Sequence, residues 1–208
     1  MSTTIDYPAS LSIDYQEGPR DKLTAFFRPF VAIPILIVVG LLSGSGVDGE
    51  ASPWSLGLAS AGLAVLPTLL MILFRQKYPK WWYEWNLELS RFAMRVGSYL
   101  ALLRDEYPST DEEQSVHLEI AYPNVEKELG AGMPLVKWLL AIPHLIVLAF
   151  LGIAAFVCVV ASWFAILFTG RQPQSLFEFT VGYLRWEMRV MAYAFLLTTD
   201  RYPPFSLD

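Results

Sequence analysis

The sequence predicts an all-α integral membrane protein made of two parallel internal repeats, with short cytosolic β-strands. Three observations carry this. Of 208 residues, 54% are hydrophobic and 17% charged, with a mean hydropathy of +0.40, too apolar for an ordinary soluble domain. The apolar residues gather in blocks long enough to enter a bilayer. One stretch also occurs twice, from Phe74 to Pro108 and from Phe168 to Pro203. Glu84 aligns with Glu178, Trp85 with Phe179 and Arg91 with Arg185. Met94-Arg95-Val96 aligns with Met188-Arg189-Val190, Tyr99 with Tyr193, and Asp105…Tyr107-Pro108 with Asp200…Tyr202-Pro203 after a one-residue slip.

The first repeat, residues 1–110, begins with a strand. Leu11, Ile13 and Tyr15 alternate with Ser12 and Asp14, a period-two pattern that Gly18-Pro19 ends. No basic region followed by an apolar one precedes it, so no cleavable signal peptide is expected. A helical hairpin is expected over 23–74. Its first arm, Leu23 to Leu42, is almost wholly apolar, with Arg28 near the start and Pro34 inside. A Gly/Ser-rich loop at 43–53 joins it to the second arm, Trp54 to Phe74.

An amphipathic helix is expected over 81–103. Glu84, Glu88, Arg91 and Arg95 are spaced by four, three and four and form one stripe. Each mid-helix Arg would cost about 2.5–3.5 kcal/mol to insert, against a gain of about 0.3–0.6 for each Leu-like residue. The helix therefore reads as interfacial, lying in the headgroup layer.

The second repeat, 111–208, follows the same plan. Val116, Leu118, Ile120 and Tyr122 alternate with His117, Glu119 and Ala121, and this strand can pair with the first. Residues 134–169 are apolar except for Lys137 and His144. They read as two short spans with a tight turn near Gly152. Ala141-Ile142-Pro143 aligns with Ala32-Ile33-Pro34, and Lys137 with Arg28. The second interfacial helix is expected over 175–198, with Gly182 replacing Glu88 and Glu187 added.

With outer loops at 43–53 and near Gly152, all 15 Lys and Arg lie on one side. The positive-inside rule makes that side cytosolic, with both termini there and the chain multi-pass in a bacterial inner membrane. An even number of spans per half makes the repeats parallel. A net charge of -5 argues against nucleic acid.

These features closely resemble the bacterial membrane family called domain of unknown function 4389, as two tandem copies. The residues that carry the resemblance are Trp138-Leu139-Leu140-Ala141-Ile142-Pro143-His144, Leu167-Phe168-Thr169-Gly170-Arg171, Leu184-Arg185-Trp186 through Arg189, and Thr199-Asp200-Arg201-Tyr202-Pro203-Pro204-Phe205. The first half departs from it, with Arg75-Gln76-Lys77 in place of Thr169-Gly170-Arg171 and Ile35 in place of His144. The resemblance implies an integral membrane protein and brings no established activity.

Candidate sites follow from charge and position. His144 is an intramembrane ionisable group, open to a proton or ligand role or to a hydrogen bond with a neighbouring helix. Arg91, Arg95, Arg185 and Arg189 could bind anionic headgroups or an acidic partner, or pair with nearby glutamates. Trp81, Trp85 and Trp186 are expected as interfacial anchors. Asp105, Tyr107, Asp200 and Tyr202 are expected as a structural lock, because an anion at a helix C-terminus needs a partner.

Cys158 is the only cysteine, and there is no Walker loop, HExxH, G-x-S-x-G or Cys/His metal spacing. No cofactor or metal is expected. The function expected is a non-catalytic membrane scaffold, assembly factor or accessory subunit whose collar binds lipid, a protein partner or its own copies. The alternatives are an oligomeric transporter or channel and a lipid-acting enzyme.

Overall fold

The structure, a computed structural model, describes residues 7–42, 65–110, 112–130 and 132–208. The loop expected at 43–53 and the first part of the apolar arm expected at 54–74 lie outside the described residues. The described elements, in order, are β1 (Ala9–Ile13), α1 (Lys22–Val31), α2 (Ile33–Leu42), α3 (Val65–Arg75), α4 (Lys80–Leu100), β2 (Val116–Ile120), α5 (Val125–Glu128), α6 (Met133–Thr169) and α7 (Gln174–Ala194). The fold is mostly helical with one two-stranded sheet.

The sheet pairs β1 with β2 antiparallel, Leu11 opposite Leu118. Alternation works as the sequence suggests: Ala9, Leu11, Ile13, Val116, Leu118 and Ile120 are buried, and the residues between them face out. The inner face packs on Phe177, Val181, Leu184 and Met188 of α7, on Tyr83 of α4 and on Leu69 and Ile72 of α3. The amphipathic helices α4 and α7 therefore form a middle layer. On their far side lie the apolar helices α1, α2 and α6. Ala32 and Ile35 meet Phe92, Val96 and Tyr99 of α4, and Ala141 and Leu148 meet Trp186, Val190 and Tyr193 of α7. Ala25 and Ile166 join α1 to α6 beneath Leu102.

The caps explain where the helices stop. Asp21 caps α1 by accepting from Leu23 N, at 3.0 Å, and from the Thr24 hydroxyl. Pro79 and Pro173 stand at the N-caps of α4 and α7, where a missing N–H costs nothing. Gly170 ends α6 at φ 73°, and Gln76 follows α3 at φ 47°. Leu102 and Leu197, just past α4 and α7, also take positive φ, at 60° and 57°.

One expectation is corrected. Residues 134–169 are not two spans turning at Gly152; Met133–Thr169 is a single helix of 37 residues. Gly152 has no turn conformation. A Cβ there would stand 3.2 Å from the Tyr183 hydroxyl, so glycine serves a close approach of α6 to α7. Pro143 is absorbed within the helix, and the Tyr202 hydroxyl donates to Leu140 O in the turn that Pro143 disturbs. Among the described residues α6 is the one helix long and apolar enough to cross a membrane. Lys22–Val31 and Ile33–Val39 reach that length together but bend by 42°.

Candidate functional site

The densest polar chemistry lies where each amphipathic helix ends. Past α4, Asp105 Oδ1 takes the Arg28 guanidinium at 2.5 Å and that of Arg20 at 3.2 Å. Arg28 also donates to Tyr99 O and Arg104 O, both at 2.9 Å, and its guanidinium sits 4.5 Å from the Tyr99 ring centre. Tyr107 meets Tyr99 edge-on at 5.6 Å. Arg20 is buried and donates to Leu103 O and to Gln172 Oε1. Burial pushes its guanidinium below the usual range, and Asp105 pulls it back. Two buried guanidinium groups thus share one carboxylate; backbone carbonyls and the Gln16 and Gln172 side chains take further N–H groups, and Nε of each arginine is buried with no partner among the described residues.

Past α7 the same parts recur. Lys137 Nζ stands 2.7 Å from Asp200 Oδ1 and donates to Thr199 O at 2.8 Å. It lies 5.3 Å from the Tyr193 ring centre, and Tyr202 meets Tyr193 edge-on at 5.8 Å. Asp200 Oδ2 accepts from Gly130 N. Both anchors fix an apolar helix to the end of an amphipathic one, using a cation from the former and a carboxylate from the latter.

The four stripe arginines turn inward. Asp14 N bonds Ser115 O, and Ala121 N bonds Pro8 O. Leu11 and Leu118 therefore form a pair not hydrogen-bonded to each other, and their carbonyls point to the outer edges of the sheet. Arg91 Nε donates to Leu118 O at 3.0 Å, and Arg185 Nε to Leu11 O at 3.1 Å. Tyr83 donates to Ile120 O. The two strand edges are thus closed crosswise, β2 by α4 from the first half of the chain and β1 by α7 from the second. Arg95 holds Ser109 O, and Arg189 holds Ser206 O and Asp208 O. Arg91 also pairs with Glu88 at 2.6 Å.

His144 is fully buried. Its Nδ1 accepts from Trp186 Nε1 at 3.1 Å, which puts the proton of the neutral ring on Nε2. Phe205 stacks on the imidazole at 3.9 Å, and Tyr202 lies 4.8 Å away. Nε2 is buried with no partner among the described residues. Residues 203–208 close this cage like a strap: Arg185 and Arg189 hold the backbone, and Leu207 lies so close to Gly182 that a Cβ there would meet Leu207 O at 2.8 Å. Trp186, expected as an interfacial anchor, is buried; it follows α7's apolar face inward, as Phe92 does on α4. Glu187 on α7 is half-buried, and loss of hydration pushes its carboxyl up to about 7.

Trp81 and Trp85 do face outward, at 68% and 53% exposure. Exposed cations stand near the helix junctions: Arg75, Lys77 and Lys80 before α4, and Lys22 and Arg171 at the far end of α6. Nothing in the sequence pattern marked these above the arginine stripe, whose spacing was more regular. Among the described residues no three His, Cys, Asp or Glu side chains gather as a metal site would.

Residues 134–206 match a family model described as a domain of unknown function, DUF4389. The match holds α6, α7, the Lys137–Asp200 anchor and the His144 cage in one copy; it does not extend to the first half of the chain. No curated protein and no solved structure matches the chain.

Proposed function

We propose that this protein is a non-catalytic membrane component, a scaffold, assembly factor or accessory subunit, formed by two copies of one unit. Each copy is a strand, an apolar helical block, an amphipathic helix and an Asp-x-Tyr-Pro anchor. The polar layer of sheet and amphipathic helices faces the cytosol of a bacterial inner membrane. It binds a partner protein or a second copy, while the exposed cations at the helix junctions meet anionic headgroups.

One observation carries the reading: polar and apolar chemistry are segregated by layer. The charged side chains at the sheet edges hold the polar layer together, and those of the two anchors tie it to the apolar helices. The outer faces of α1, α2 and α6 expose Leu23, Phe26, Phe30, Ile37, Leu139, Phe150, Phe156 and Phe168. So many large apolar side chains exposed on three helices call for an apolar phase rather than water.

Membranes from expressing cells, washed with alkaline carbonate, test the membrane assignment. The protein is expected to stay in the pellet and to need detergent for release. Recovery in the carbonate supernatant overturns it. Mass measurement of the detergent-purified protein then tests the assembly: a co-purifying protein is expected, a closed homo-oligomer favours the transporter or channel instead, and a monomer that carries only lipid also contradicts the scaffold reading.

A further inference from the structure

We infer that α6 does not cross the bilayer but lies along its surface, sunk into one leaflet with its outer stripe against the acyl chains. This deepens the membrane reading above and rests on it. At 1.5 Å per residue the 37 residues of α6 extend about 55 Å, against a hydrocarbon core of about 30 Å. Holding that whole length within the hydrocarbon would need a tilt of roughly 55°, against a range of up to about 40° for spanning helices.

The contacts decide the matter more sharply. α6 and α7 touch along their length, as antiparallel neighbours do: Trp138 donates to Ala194 O, His144 takes Trp186, and Gly152 meets Tyr183. Both ends of α6 return to the same polar layer. At its start Lys137 pairs with Asp200. At its end Gly170 O accepts from Arg20 N, and Phe168 O from Lys22 Nζ. The segment that holds β1 reaches from one of these ends toward the other. On one flank Tyr7 donates to Arg201 O, beside Asp200. On the other, Tyr15 donates to Gln172 O, two residues past the end cap of α6. These tyrosines are eight residues apart, roughly 27 Å of extended chain. If α6 spanned the membrane, this strand, with Ser10, Ser12 and Asp14 facing out, would have to run through hydrocarbon.

The composition of α6 agrees. Lys137, His144 and Ser162 lie on the buried stripe, and the exposed Thr169 stands at the last residue of the helix. Leu139, Ile146, Ile153, Val160 and Phe168 are exposed on the opposite one at helical spacing.

Spin labels on single cysteines test this in the full-length protein, reconstituted in phospholipid vesicles with Cys158→Ser removing the native thiol. The sites are Leu139→Cys, Ile146→Cys, Ile153→Cys, Val160→Cys and Phe168→Cys, all exposed and so tolerant of a label. Depth is read from collision with oxygen against a water-soluble nickel complex. The expected result is one common depth at all five sites. A profile deepest at 153 and shallower by about 15 Å toward both ends, as half a bilayer requires, overturns the inference and leaves the membrane assignment standing. Nickel access at every site, as in water, overturns both.

Discussion

At the scale of single residues, the anchors set the energetics. Lys137 has no exposure and meets a single carboxylate. Asp200→Asn leaves that ammonium buried and uncompensated, which typically costs 3–5 kcal/mol. A loss near the lower end, about 3 kcal/mol, is expected because Asp200 is partly exposed. Lys137→Met combined with Asp200→Asn is expected to recover most of it, read by unfolding in mixed detergent micelles. Gln76 holds the left-handed conformation that Gly170 takes at the matching cap, so Gln76→Gly is expected to stabilise by about 1 kcal/mol.

Glu187 gives a pH test. Its carboxyl is raised from 4.5 to about 7 by lost hydration, so the folded state holds a proton that the unfolded chain releases. The stabilising effect of that proton is full below about 4.5 and is lost as pH rises through 7. The melting temperature is therefore expected to fall between those limits, and Glu187→Gln is expected to remove that part of the slope.

At the scale of elements, alternation and helical spacing made the strands, α4 and α7 legible. Aligning the chain with itself also singled out Lys137, Asp200, Arg28 and Asp105 as matching positions. The continuity of α6 was not legible. A lone glycine amid Leu, Ala and Ile reads equally as a turn or as a packing notch, and only Tyr183 across the seam decides. Gly152→Val should push α7 away and loosen the His144 cage, seen as changed Trp186 fluorescence. The edge-closing role of Arg91 and Arg185 was hidden for another reason: their acceptors are backbone carbonyls, which carry no sequence signal. Removing either arginine exposes a strand edge, so Arg185→Met is expected to promote aggregation on mild heating more than Glu84→Gln does.

At the scale of the whole molecule, the layers order the chemistry: sheet, amphipathic helices, then apolar helices. Among the described residues Arg75, Lys77, Lys80, Lys22 and Arg171 are exposed near the junctions between the second and third layers, which the proposed orientation puts at the depth of the headgroups. Replacing Arg75, Lys77, Lys80 and Arg171 together with Gln is expected to reduce retention of anionic over zwitterionic phospholipid in native mass spectra. The fold should survive, since none of the four contributes to the anchors.

The most direct measurement is the sidedness of the two ends of α6. Cysteines placed at Leu135 and Arg171, in a Cys158→Ser background, are treated with an impermeant thiol reagent in right-side-out and inverted membrane vesicles. Labelling of both positions from the cytosolic face alone is the expected result. Labelling of the two from opposite faces would contradict the layered arrangement at its root.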